Sequence, residues 1–152
     1  MNTIIETDEN GRIIYYKDGR RDEYWQRYDE FGNLVYRRTY CSHWERTYDS
    51  AGRCVYYRNI KRGSWYEKEY DEAGNCIHHK SNGTEWWQKY DESGNVIYRK
   101  TKTSEKWFEY DERGNMIHWK DDKGREIINR YNDKGVRIYH KHYNGTEWKI
   151  DL

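Results

Sequence analysis

Tyr90-Asp91-Glu92-Ser93-Gly94-Asn95-Val96-Ile97-Tyr98 is one copy of a motif that returns along the whole chain. Tyr28 to Tyr36 is a second copy, and Tyr48 to Tyr56, Tyr70 to His78 and Tyr110 to His118 follow the same plan. Weaker copies open at Thr7-Asp8-Glu9-Asn10-Gly11 and at Tyr131-Asn132-Asp133-Lys134-Gly135. The starting positions 7, 28, 48, 70, 90, 110 and 131 are separated by 21, 20, 22, 20, 20 and 21 residues. A fixed period of this size over an entire chain marks a repeat architecture, in which each repeat is one supersecondary unit.

Within the repeat, Asp-Glu-x-Gly stands between two runs rich in aromatic and β-branched residues. A four-residue loop with Gly late in it is a common hairpin connection, because Gly takes φ > 0 freely. A second, more variable turn closes each repeat, as at Ser81-Asn82-Gly83-Thr84 and Asp122-Lys123-Gly124. No segment sustains a helical period with caps. The reading is an all-β fold: an antiparallel β-meander of about seven hairpin repeats of ~20 residues, or about fifteen short strands. It forms one domain over residues 1–152. Accumulated strand twist predicts a strongly twisted or curled sheet.

Three columns follow each turn. Ile14, Val35, Val55, Ile77, Ile97, Ile117 and Ile138 are β-branched, and the next residues, Tyr15, Tyr36, Tyr56, His78, Tyr98, His118 and Tyr139, carry rings. Two further on stand Lys17, Arg38, Arg58, Lys80, Lys100, Lys120 and Lys141. Strand alternation puts the β-branched column on one face and the rings and bases on the other. Pairing the repeat tyrosine with the residue after Gly sets Glu85 opposite Lys100, Glu105 opposite Lys120 and Glu23 opposite Arg38. It also puts Trp25, Trp87 and Trp107 on the ring face, and the repeat tyrosines with Tyr24, Trp44, Tyr66 and Trp86 on the other.

Charged residues make up 36% of the chain, yet the formal net charge is only +1. That balance argues against a general nucleic-acid binder, which would normally carry a basic excess or a basic face. Aromatics at 18% replace a thick aliphatic core with rings that keep a polar tip in water. No apolar run is long enough to span a membrane, and the N-terminus does not read as a signal peptide, so the expected location is cytoplasmic. Three cysteines, Cys41, Cys54 and Cys76, fit a reducing compartment. Cys54 and Cys76 are expected ~9–10 Å apart, beyond disulfide reach, as small apolar fillers.

The Asp-Glu pairs share one type of turn, so a meander lines them along one edge as a ledge of negative potential. Either the acids serve the turns, or the ledge docks on a basic surface such as the cleft of a nuclease. The basic column reads as cross-strand pairing with glutamates, or as a phosphate track with interleaved rings. The aromatic faces read as ladders that stabilise the sheet, or as interface anchors. The candidate partner-binding residues are Asp29, Glu30, Asp71, Glu72, Asp91, Glu92, Asp111 and Glu112 on the edge, with Trp25, Trp87, Trp107 and Trp119 on the sheet. Equivalent repeated carboxylates do not make a catalytic acid–base pair. No metal-ligand set, phosphate loop or nucleophile–base pair stands out, so no enzyme and no cofactor are expected.

The motif Tyr-Asp-Glu-x-Gly-Asn, explicit at Tyr28 to Asn33, Tyr70 to Asn75, Tyr90 to Asn95 and Tyr110 to Asn115, resembles the YD repeats of Rhs-type proteins and teneurins. In the large relatives the resemblance implies a spiralling β-sheet shell around a toxin domain. Small proteins built from such repeats are similar to bacterial immunity proteins, which are encoded beside polymorphic toxins, including those of contact-dependent inhibition systems. The expected function is then binding and neutralising a cognate toxin, a nuclease such as an RNase, by occluding its active site. The alternatives are a carbohydrate- or surface-binding, adhesin-like module, or a fragment of a larger Rhs-type shell. The expected partner is the toxin protein, with no direct nucleic acid and no membrane; free sheet edges would allow a homodimer.

Overall fold

The structure, a computed structural model, describes residues 2–20 and 22–150. These hold fifteen β-strands and no helix. The first seven are β1 (Ile4–Thr7), β2 (Ile13–Lys17), β3 (Glu23–Tyr28), β4 (Leu34–Thr39), β5 (His43–Tyr48), β6 (Cys54–Asn59) and β7 (Ser64–Tyr70). The others are β8 (Cys76–Ser81), β9 (Thr84–Tyr90), β10 (Val96–Thr101), β11 (Glu105–Tyr110), β12 (Met116–Asp121), β13 (Glu126–Tyr131), β14 (Arg137–Lys141) and β15 (Glu147–Lys149). Two compact units divide the chain: Met1–Glu69 with His79–Thr84, and Tyr70–His78 with Glu85–Leu152. Within each unit strands neighbour one another in sequence order and run antiparallel, which is the meander the repeat predicts.

Among the described residues no apolar side chain is buried; only Asp121 and Asn129 are, at 5% and 2% exposure. Each unit therefore rests on contacts along the sheet faces rather than on an interior. In the first unit Tyr16 stacks on Tyr24 at 5.1 Å and Arg46 lies 4.3 Å from the Trp44 ring. In the second, His78 stacks on Trp87 at 4.8 Å and Lys106 lies 5.3 Å from Trp119. Aromatic pairs contribute roughly 0.5–1.5 kcal/mol each beyond the area they cover, and exposed cation–π pairs about 0.5–1 kcal/mol. Such a sheet is held by many small, local terms.

The Asp-Glu-x-Gly turn is tighter than a four-residue loop. Asp91 donates its N–H to the Asn95 carbonyl at 3.0 Å, and Gly94 donates to the Asp91 carbonyl at 3.0 Å, at φ 82°. This is a three-residue loop, a type I turn followed by a glycine in the left-handed region. The same pair of bonds recurs at Asp8, Asp29, Asp49, Asp71, Asp111 and Asn132.

That loop changes the register. The repeat tyrosine faces the second residue after Gly, not the first: Tyr90 pairs with Val96, Tyr28 with Leu34 and Tyr110 with Met116. The next residue, Ile97, Val35 or Ile117, is an extra one that the partner strand does not match, and the same holds for Ile14, Val55 and Ile138. The β-branched column is thus a column of β-bulges. A bulge breaks alternation, so this column does not keep to the face opposite the rings: Ile14 lines one groove with Tyr15 and Trp25.

The expected charge pairs shift accordingly. Lys100, Lys120 and Arg38 face Trp87, Trp107 and Trp25, not glutamates. The acid stands across the other turn, where Lys17 pairs with Glu23 at 3.3 Å and Lys100 with Glu105 at 3.0 Å. The total shift is two residues, so the expected faces of the tryptophans survive. Trp107 pairs with Tyr98 on the ring face of its unit, as Trp25 does with Tyr15.

The bulge also explains the tyrosine. The ladder between β10 and β11 holds three pairs and stops at Tyr98–Trp107. Beyond it, the Tyr110 hydroxyl donates to the Val96 carbonyl at 3.1 Å and ties the splayed end. Tyr90 reaches the Cys76 carbonyl at 2.9 Å, Tyr131 that of Met116 at 3.3 Å, and Tyr48 that of Leu34 at 3.4 Å. Tyr110→Phe, which keeps the ring, is expected to cost about 0.5–1.5 kcal/mol in urea unfolding. An unchanged midpoint would remove this role from the hydroxyl.

Candidate interface along the acidic turns

Each aspartate of the turns is spent on its own loop. Asp91 Oδ1 accepts the Ser93 and Asn95 backbone N–H groups at 3.0 and 2.8 Å, and Oδ2 accepts the Asn95 amide at 3.0 Å. Asp29 and Asp111 bind Asn33 and Asn115 in the same way, and Asp71 binds Asn75. Where Arg replaces Asn, at Arg12 and Arg53, its Nε meets Asp8 or Asp49 at 2.7 Å. The residue after Gly is thus a working part of the turn, which sequence reasoning passed over.

The glutamates behave differently. Glu30, Glu72, Glu92 and Glu112 are all exposed, and among the described residues none accepts a hydrogen bond or an ion pair. The type I geometry explains this, since the second turn residue points its side chain outward. In the second unit Glu72, Glu92 and Glu112 head successive turns on one edge, two strands or about 9.5 Å apart. Arg113 and Lys134 interrupt the negative row at its far end, where Arg113 donates to the Asp133 carbonyl.

The aspartates also make the sheet acid-sensitive. The Asn95 and Asn115 side chains, then their backbone N–H groups, hold Asp91 and Asp111 below the ordinary value of 3.8 against a smaller desolvation effect; at Asp71 the Asn75 side chain comes first, then opposing desolvation, then the Asn75 backbone N–H, with the same net lowering. At Asp29 desolvation pulls upward, but the Asn33 bonds outweigh it. A carboxyl lowered in the folded state stabilises fully above its unfolded value and loses that contribution as pH falls through the folded value. Stability is therefore expected to be level from neutral pH down to about 4.5 and to fall steeply below 3.8. Melting scans across that range test it; a loss already complete above pH 5 would contradict it.

The four candidate tryptophans do not form one surface. Trp25 and the Asp29–Glu30 turn belong to the first unit, and the other nine candidate residues to the second. Trp87 and Trp107 share the ring face of the second unit, whereas Trp119, paired with Phe108, lies on its opposite face. Trp25 is the exposed one, at 38%; the others are half-buried. All three cysteines are free thiols, and the Cys54 and Cys76 sulfurs donate to the Tyr56 and His78 carbonyls at 3.2 and 3.3 Å. Among the described residues no group of three or more His, Cys, Asp or Glu side chains is placed to hold a metal ion.

No family model matches the chain, and no curated protein matches it. Solved structures do. A structure of the Photorhabdus luminescens Tc holotoxin pore aligns with 96% of this chain and 9% of its own, at TM-score 0.58 and 15% identity. Structures described as TcdB2-TccC3-Cdc42 and TcdB2-TccC3 each align with 99% of this chain and 10% of theirs, at TM-scores 0.60 and 0.59 and 15% identity. The chain thus spans about a tenth of the length of these toxin components. Taken with the repeat motif and its hairpin geometry, they support a YD-repeat, Rhs-like fold for this chain.

Proposed function

We propose that the chain is a non-enzymatic protein-binding sheet whose partner is a toxin polypeptide, and that it acts as an immunity protein covering the active site of a nuclease toxin. The observation that carries this reading is the division of labour in the turns. Aspartate holds the loop, while Glu30, Glu72, Glu92 and Glu112 stay exposed and uncommitted. A cleft that handles nucleic acid is basic, and the regularly spaced acidic edge of the second unit, at Glu72, Glu92 and Glu112, complements it. Charge complementarity of this kind speeds encounter and selects the partner more than it adds affinity.

A second reading is favoured by the alignment lengths: this chain matches 9–10% of toxin-complex proteins along 96–99% of itself. As one section of a longer YD-repeat wall, it would lie against an enclosed toxin rather than neutralise a separate one. Co-expression with the toxin encoded beside it, scored by growth and nuclease activity, separates the two. Rescue by the chain alone supports immunity. Continued toxicity with an intact, folded chain leaves the wall reading.

A further inference from the structure

The ring faces of the two units follow a rule that two repeats break, at Arg58, which faces Trp65, and at Arg38. Lys17, Lys100, Lys120 and Lys141 each face a glutamate across the second turn: Glu23, Glu105, Glu126 and Glu147. Arg38 instead faces His43 on one side and Trp25 on the other. Two pairs along the same two strands, and so on the same face, Arg27 faces Tyr36. Two arginines and two rings thus alternate as a checkerboard across β3 and β4. The Arg27 guanidinium lies 4.4 Å from the Tyr36 ring centre, and that of Arg38 lies 5.4 Å from Trp25.

Neither guanidinium has an ion-pair partner among the described residues. The nearby Glu23 accepts from the Tyr15 hydroxyl at 2.8 Å and from Lys17 at 3.3 Å, and is coupled to Arg38 only by a weaker, longer-range attraction. Glu45 stands opposite Tyr36 and Arg58 on the next strands, and Glu6, paired with Tyr15, is the one acid that lines the groove among the described residues. The checkerboard lines an open groove of about 690 Å³ together with Tyr15. Ring stacking orients both guanidinium planes before any ligand arrives and leaves their N–H forks for acceptors. The two forks sit on diagonal positions of adjacent strands, roughly 7–8 Å apart at the backbone.

We propose that this groove binds single-stranded nucleic acid. Paired arginine forks match phosphate oxygens bidentately, and rings with stacked guanidiniums give platforms for bases of any sequence. An acidic peptide would satisfy the forks and leave the rings idle; the rings decide between the two. The near-neutral chain lacks a general nucleic-acid footprint, but this is a local site on one face. It stands independently of the toxin reading, and a toxin-inhibition assay does not bear on it.

The test is the anisotropy of a fluorescein-labelled, mixed-sequence single-stranded RNA titrated with the intact protein at low salt. Binding is expected, with log affinity falling against log salt by about 0.7 for each phosphate neutralised. His43→Glu reinstates the acid that other repeats carry, so it keeps the fold; it is expected to weaken binding about tenfold or more. Arg27→Gln combined with Arg38→Gln is expected to remove binding in a protein that still unfolds cooperatively, its melting temperature lowered only by the two cation–π pairs given up. No binding by the wild type, or equal binding by both variants, overturns the proposal. So does displacement of the RNA by a polyglutamate peptide of equal charge, which would assign the groove to acidic protein segments.

Discussion

Gly94→Val is expected to destabilise the protein by about 1–3 kcal/mol, all of it from the backbone. Gly94 sits at φ 82°, and a Cβ built there meets nothing within 4 Å. The Cβ itself therefore adds no overpacking. A β-branched residue in the left-handed region is a true outlier, whereas Asn enters that region several-fold more readily. Gly94→Asn should accordingly lose much less than Gly94→Val. If the strain instead shifts the loop, the N–H at position 94 leaves the Asp91 carbonyl and the Ser93 and Asn95 N–H groups lose their aim at the Asp91 carboxylate. The loss is read from urea midpoints of the two variants. Equal midpoints for Val and Asn would mean that this loop does not depend on the left-handed conformation.

Reversing Glu30, Glu72, Glu92 and Glu112 to Lys together is expected to leave folding nearly untouched and to slow toxin association by roughly tenfold to a thousandfold at low salt. Folding is spared because these side chains are exposed and support no bond of the turn. The matching reversal of Asp91 or Asp111 would not test the same thing, since those carboxylates hold the loop. Stopped-flow association across a salt series reads the effect. The wild type and variant should converge at high salt as screening removes the field. Full protection by the reversed variant would move the interface from the turn edge to the tryptophan faces.

Much of this architecture is legible in the sequence because hairpin repeats write themselves in short-range terms. Gly94 and its equivalents punctuate the turns, and the period-two alternation places Trp25 with Tyr15 and Trp107 with Tyr98. The register is less legible. Treating Asp91-Glu92-Ser93-Gly94 as a four-residue loop sets Tyr90 against Asn95, while the observed loop sets it against Val96 and leaves Ile97 over. A late glycine is the available signal for the tighter loop, because a type I turn followed by a left-handed residue is the usual three-residue hairpin.

The candidate site was readable in part. Asp and Glu look alike as a pair of acids in the motif, but the turn engages one and turns the other outward. That difference lies in backbone geometry, as does the reach of the Tyr110 hydroxyl across to Val96. The arginine checkerboard has a sequence signal, His43 standing where Glu105 and Glu126 stand in later repeats. It becomes visible only once the pairing shows which base each acid faces.

The most direct test of the proposed immunity role is a titration of the purified chain against the purified product of the neighbouring gene, with nuclease activity followed to saturation. The account predicts a one-to-one complex in which activity falls to background at equivalence. A toxin that stays fully active with excess folded chain present, and no complex by light scattering, would contradict it.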